Sequence, residues 1–176
     1  YAAALENGFT PSTLVLDAPF VIEQGEGLKT WKPENYGKKF YGPSTLRTGI
    51  EKSRNLMTVR LANRIGMDKI LDMANNFNLN KGLDEKLSMS LGSGVITLKE
   101  LTNAYAIIAN GGKKIHPKLI TSIYSKNGKK IYDTRLKKCI KCVVNNISSE
   151  IEIPSFSEDK TIIVDPRLAY QITSMM

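Results

Sequence analysis

The sequence predicts a mixed α/β (α+β) fold in which helices predominate, and three observations predict it. Apolar residues recur at helical spacing, as in Leu56, Val59, Ala62 and Ile65. Thr97-Leu98-Lys99-Glu100 is a capping box that opens another such run. Asn127-Gly128, set between Ile- and Tyr-bearing segments, is the strongest short signal for a β-hairpin.

In order along the chain, Tyr1-Ala2-Ala3-Ala4-Leu5 reads as a helix already under way that ends at Gly8, after which Thr10-Pro11-Ser12 turns the chain. Leu14-Val15-Leu16-Asp17 and Phe20-Val21-Ile22-Glu23 read as short strands around Ala18-Pro19. Gly25-Glu26-Gly27 opens a polar loop carrying Trp31, Pro33, Asn35 and Tyr36. Pro43 suits the first position of a helix on which Leu46 and Ile50 share a face. Ser53-Arg54-Asn55 interrupts that face, and a second helix runs on to Gly66. Asp68 is placed to cap a third, carrying Ile70, Leu71, Ala74 and Phe77. The capping-box helix carries Leu101, Ala104, Tyr105 and Ile108 and stops at Gly111-Gly112. The hairpin pairs a strand from Lys118 to Tyr124 with Lys130-Ile131-Tyr132. The polar stretch from Asn145 to Lys160 reads as an insertion. Asp165-Pro166 starts a last helix with Leu168, Ala169, Ile172 and Met175 inward. That helix stops inside its apolar pattern at Met176, so both ends of the sequence read as cut.

Composition narrows the class without reaching a function. The 176 residues are enough for one domain with a sizeable core, and 41% apolar with 24% charged argues against disorder. The charge is +8, from 25 basic and 17 acidic residues, which suits an anionic partner such as a cell-wall polymer or an acidic membrane face. The lysines are scattered in pairs such as Lys38-Lys39 and Lys113-Lys114, with no aromatic-rich basic block. The charge therefore reads as solvated surface and not as a nucleic-acid footprint. No stretch reaches the roughly 18 consecutive apolar residues of a membrane span. Cys139 and Cys142 form a lone C-x-x-C beside a single histidine, His116, too few groups for the roughly four ligands of a zinc site. The flanks do not suit a redox helix. The pair reads as a small loop disulfide in an oxidising compartment, or as two free thiols.

Three short patterns bear on chemistry, and each has a decoy. Ser157-Glu158-Asp159-Lys160 fits S-x-x-K but sits in a polar stretch with no following apolar helix, whereas a nucleophile of this kind opens a buried helix. Arg47-Thr48-Gly49 mimics K-T-G inside a helical pattern. Ser125-Lys126-Asn127 fits S-x-N but is needed for the hairpin turn. Ser53-Arg54-Asn55 also fits S-x-N, and it falls at a joint between two apolar helices where both side chains can face a cleft. The plainer reading is that Ser53 and Asn55 only break and cap helices.

The surroundings decide between the two. Tyr41-Gly42-Pro43-Ser44-Thr45-Leu46-Arg47, Ile50-Glu51-Lys52-Ser53-Arg54-Asn55-Leu56 and Thr58-Val59-Arg60-Leu61 together resemble the second-motif region of the class A penicillin-binding proteins, of the 1A type. Trp31-Lys32-Pro33-Glu34-Asn35-Tyr36 is similar to the family's stretch upstream. Leu91-Gly92-Ser93-Gly94 through Asn110-Gly111-Gly112 is similar to its next block. The resemblance extends over the whole chain in order. It implies that residues 1–112 and 161–176 belong to a transpeptidase domain and that 113–160 hold the hairpin and a variable insertion.

The resemblance implies a serine β-lactamase/D,D-peptidase-like penicillin-binding transpeptidase fold, represented here mainly by its helical lobe and incomplete. The implied activity is peptidoglycan crosslinking by serine acyl transfer, on a stem pentapeptide and with β-lactam antibiotics as inhibitors. Neither a nucleic acid, a metal nor a cofactor is implied. Ser53 would relay a proton, and Asn55 would hydrogen-bond the substrate amide and help place a lysine. Trp31 and Tyr36 read first as aromatic packing, with a place at the rim of the cleft as the alternative. The nucleophilic serine and lysine of S-x-x-K would precede Tyr1, and K-T-G would follow Met176. The parent would be anchored at the periplasmic face of the inner membrane and carry a glycosyltransferase domain. Two alternatives stand beside this reading: a non-catalytic piece that only binds peptidoglycan or complements another chain, and a serine β-lactamase or penicillin sensor.

Overall fold

The computed structural model describes residues 1–22, 30–79, 81–134 and 161–176, with the backbone of 139–140 and 155–156. Cys142, the side chain of Cys139, the Gly25 loop, the 145–160 insertion apart from the 155–156 backbone, and the Ser157-to-Lys160 pattern lie outside the described residues. The chain falls into two units, residues 1–115 with 162–176, and residues 116–161.

The larger unit comprises α1 (Ala2–Glu6), β1 (Leu14–Asp17), β2 (Gly42–Thr45), α2 (Leu46–Glu51), α3 (Asn55–Ile65), α4 (Met67–Asn76), a 3-10 turn (Leu87–Leu91), α5 (Leu98–Ala109) and α6 (Pro166–Met175). The small side chains of α1 let its backbone approach several helices at once. Ala3 packs with Met73, Phe77 and Ile107, while Ala4 and Leu5 pack with Leu46, Met57, Leu61 and Met175. Each large apolar side chain buried in this way contributes about 1.5–3 kcal/mol.

β1 and β2 form an antiparallel pair in which Leu16 faces Pro43 and Asp17 faces Gly42. This corrects the expectation for Pro43, which lies in a strand and not at a helix start. The helix begins three residues later, where the Thr45 hydroxyl caps it by accepting from Thr48 N at 3.2 Å. The backbone groups of β1 need partners, and a two-stranded sheet has only edge strands, where proline is tolerated. Phe20-Val21-Ile22-Glu23 does not form the expected strand over its described residues. It contributes one bridge, between Ile22 and Trp31. Gly66, not Asp68, is the cap residue of α4. Asp68 lies in its first turn, where a carboxylate favours the helix dipole. On α5 the capping box forms as expected, with Glu100 N donating to Thr97 and Thr97 N donating to Glu100. Its covered face is Ala104, Ile107 and Ile108, whereas Leu101 and Tyr105 are exposed.

Four helices end in the same way. In α1, α2, α4 and α5 the residue after the cap takes a left-handed conformation, and two backbone N–H groups reach back to orphaned carbonyls, forming a Schellman motif. In α1, Gly8 N donates to Leu5 O and Phe9 N to Ala4 O. In α5, Gly111 N donates to Ile108 O and Gly112 N to Ile107 O. The left-handed residues are Gly8, Ser53, Asn78 and Gly111, with φ of 85°, 49°, 59° and 67°. Glycine and asparagine are the residues such a position favours. Serine is not.

The smaller unit holds the hairpin of β3 (Ser122–Tyr124) and β4 (Lys130–Asp133), joined through Asn127-Gly128. Regular pairing begins only at Ser122 and not at Lys118. The Ser125 hydroxyl accepts from Lys129 N at 3.0 Å, so this S-x-N pattern serves the turn. β5 (Cys139–Ile140) pairs antiparallel with β6 (Ser155–Phe156). Among the described residues no helix is long and apolar enough to cross a membrane.

Candidate functional site

The site is built on the joint between α2 and α3. Ser53 N donates to Ile50 O at 3.1 Å and Arg54 N to Gly49 O at 2.9 Å, so Ser53 occupies the left-handed position of the α2 Schellman motif. An L-residue held there costs about 1–2 kcal/mol, and glycine would avoid that cost. The strained residue is exposed and lines a cavity. Strain of this kind concentrates at functional sites.

The turn is tied from three sides. The Thr58 hydroxyl donates to Arg54 O at 2.9 Å, which uses its single proton. The 3.1 Å contact between Tyr1 and Thr58 therefore has the Tyr1 hydroxyl as donor. Burial pushes the Tyr1 hydroxyl above its usual pKa. Gly49 makes room for this hydroxyl, since a Cβ there would lie 2.8 Å from it. On the second side, the Arg54 guanidinium lies 3.3 Å from the centre of the Tyr41 ring, a cation–π stack. On the third side is the loop before β2. Asn55 Nδ2 donates to Glu34 O at 2.9 Å, and Asn35 Oδ1 accepts from Leu56 N at 3.2 Å.

Ser53 and Asn55 line a cavity of about 410 Å³ that runs from Tyr1 and Thr58 to Met73, Phe77 and Ser90. Trp31 and Tyr36 do not line it: Tyr36 is fully exposed, and Trp31 bridges to Ile22. The amide of Asn55 has already given one N–H to Glu34, which leaves one donor and Oδ1 for a ligand. The cavity lining contains no lysine or histidine among the described residues. A serine hydroxyl needs a base beside it to act as a nucleophile, and no such lysine or histidine is among these lining residues. Arg47-Thr48-Gly49 lies within α2 and offers no edge strand. The roles of Asn35, Thr58 and Tyr41 went unread in the sequence. Their only signal was membership of the runs that carry the family resemblance: Asn35 in Trp31 to Tyr36, Tyr41 in Tyr41 to Arg47 and Thr58 in Thr58 to Leu61.

A strained serine and an asparagine two residues on thus stand together at a helix joint over a cleft. The chain belongs to the penicillin-binding protein transpeptidase domain family, whose model it matches over residues 1–150. It is 46% identical over its whole length to penicillin-binding protein 1A of Rickettsia bellii, and spans 22% of that protein's length. Penicillin-binding protein 1A from Haemophilus influenzae, known from a 2.6 Å crystal structure, superposes with a TM-score of 0.80 at 30% identity, covering 99% of this chain and 27% of that one. Penicillin-binding protein A from Mycobacterium tuberculosis, solved as an imipenem acyl-enzyme complex, shares the fold with a TM-score of 0.70 at 23% identity, over 99% of this chain and 40% of its own.

Proposed function

We propose that this chain forms one wall of the active site of a serine-type D,D-transpeptidase that crosslinks peptidoglycan. The observation that carries the proposal is Ser53, held in a left-handed conformation and lining one cavity together with Asn55. A serine contributed by chain outside these 176 residues attacks the carbonyl of the penultimate D-alanine of a stem pentapeptide. The peptide bond breaks, and the terminal D-alanine leaves with a proton passed to its amine through Ser53. Asn55 donates its remaining N–H to the substrate amide carbonyl and helps place the lysine beside the nucleophile. The acyl group then passes to an amine of a neighbouring strand, which restores the serine hydroxyl. β-Lactams acylate the same serine, in keeping with the acyl-enzyme form in which the Mycobacterium tuberculosis protein was solved.

In this reading residues 1–112 and 161–176 are transpeptidase domain and 113–160 an insertion. The full-length protein is a bifunctional synthase anchored at the periplasmic face of the inner membrane, with its glycosyltransferase domain elsewhere in the chain. The likeness to the Rickettsia bellii protein along the whole chain favours a synthase over a β-lactamase or sensor. The full-length protein is expected to release D-alanine from pentapeptide-bearing glycan strands, and penicillin to stop release at one equivalent per chain. Steady hydrolysis of penicillin without D-alanine release would instead establish the β-lactamase reading. Binding of glycan strands with neither activity would establish the non-catalytic one.

A further inference from the structure

We propose that Asn35 is a positioning residue for the Ser53–Asn55 pair, acting through a buried knot with Asp17; the proposal rests on the transpeptidase reading of that pair. Asp17 and Asn35 are the two buried polar residues among those described, 0% and 4% exposed. Asn35 Nδ2 donates to Asp17 Oδ1 at 2.8 Å and to Lys39 O at 2.9 Å, while Oδ1 accepts from Leu56 N at 3.2 Å. Both amide protons are thus used, and the orientation is unique. Turning the amide over would set its NH2 against Leu56 N–H and its oxygen against a carboxylate and a carbonyl.

The bond to Leu56 answers a need of α3. The first N–H groups of a helix have no partner within it, and Arg54, at the cap position, offers no side-chain acceptor. Asn35 supplies one from 21 residues upstream. Its neighbour Glu34 holds the side chain of Asn55. Asp17, at the other end of the knot, is the last residue of β1 and faces Gly42, the first residue of β2. β2 runs directly into α2, which leads to Ser53. The knot therefore links the strand pair that leads to Ser53 with the helix that begins at Asn55. Among the described residues Asp17 Oδ2 is buried without a hydrogen-bond partner, and such a group costs stability.

The test is made in the full-length protein. Asn35→Asp keeps an acceptor for Leu56 N but turns a second carboxylate oxygen toward Asp17 and Lys39 O. Its rate constant for acylation by penicillin is expected to fall about 10- to 100-fold, the scale of a misplacement near 1 Å. The dissociation constant of the initial penicillin complex stays near that of the unsubstituted protein. Adding Asp17→Asn lets residue 17 donate to the new carboxylate at position 35, and is expected to recover most of the lost rate. A lowered Tm with an unchanged acylation rate on folded Asn35→Asp would overturn the proposal and leave Asn35 a purely structural residue. So would a double variant no faster than the single one. Should Asn35→Asp not fold, Asn35→Ser is read against the same two rates. No acylation of the unsubstituted protein would overturn the transpeptidase reading itself, an outcome distinct from equal rates in protein and variant.

Discussion

Replacing Ser53 by glycine in the full-length protein is expected to stabilise the fold while removing most of its acylation by penicillin. The left-handed conformation at φ 49° costs a serine about 1–2 kcal/mol. Glycine loses that strain but gains freedom in the unfolded chain, worth about 0.4–1 kcal/mol in the other direction. The balance is a gain of about 0.5–1 kcal/mol, visible as a higher Tm or urea midpoint. The hydroxyl lost in the exchange is the one assigned to proton relay, and a positioned proton-transfer group contributes about 10²- to 10⁴-fold. Ser53→Ala separates the two effects, because it loses the hydroxyl and keeps the strain. It should match the glycine variant in acylation rate and lack its gain in stability. A glycine variant that is less stable than its parent, or that acylates at the parental rate, would show that Ser53 is there to end a helix. The other three left-handed positions of this kind, Gly8, Asn78 and Gly111, already carry the residues that geometry prefers.

Replacing Gly112 by alanine is expected to be among the most damaging single changes in the larger unit. Gly112 has φ 82°, and a Cβ there would lie 2.0 Å from Val164 O and 2.9 Å from Val164 C. Both are backbone atoms and cannot swing aside. They belong to the segment that returns to α6, which is held by Ile163 N and Val164 N donating to Gly112 O at 2.8 and 3.2 Å. Strain and overlap together are expected to cost about 2–5 kcal/mol. Gly92→Ala is the control, since its φ of 84° is nearly the same and no atom lies within 4 Å of a Cβ there. It should lose only the strain, about 1–2 kcal/mol. The difference in urea midpoint between the two variants measures the collision. Equal losses would mean that the α5–α6 return is not as close as described.

These two sites also show what the sequence could reveal. Features fixed within a few residues were legible. The capping box at Thr97, the Asn127-Gly128 turn and the Asp165-Pro166 helix start need only neighbours in sequence, and each forms where its residues predict. Features fixed at a distance were not. Pro43 suits a helix start until β1 is known to lie opposite it. Leu101 and Tyr105 belong to a wide apolar stripe on α5, but periodicity does not say which part of that stripe is covered. The Ser53-Arg54-Asn55 joint was legible because a tripeptide and its flanking helices are local. Its supports were not, since Asn35 reaches Leu56 across 21 residues and Tyr1 reaches Thr58 across 57. The left-handed conformation of Ser53 was equally invisible, because nothing in a serine announces a position suited to glycine.

The proposed function turns on this chain supplying the Ser53–Asn55 side of the site and on an acylated serine outside it. The direct test is to treat the full-length protein with labelled penicillin, digest it, and locate the adduct by mass spectrometry, with the 176-residue polypeptide treated in parallel. One labelled serine is expected, on a peptide preceding Tyr1, together with an unchanged intact mass for the polypeptide alone. A penicillin adduct on Ser53, or on any other serine between Tyr1 and Met176, would contradict it.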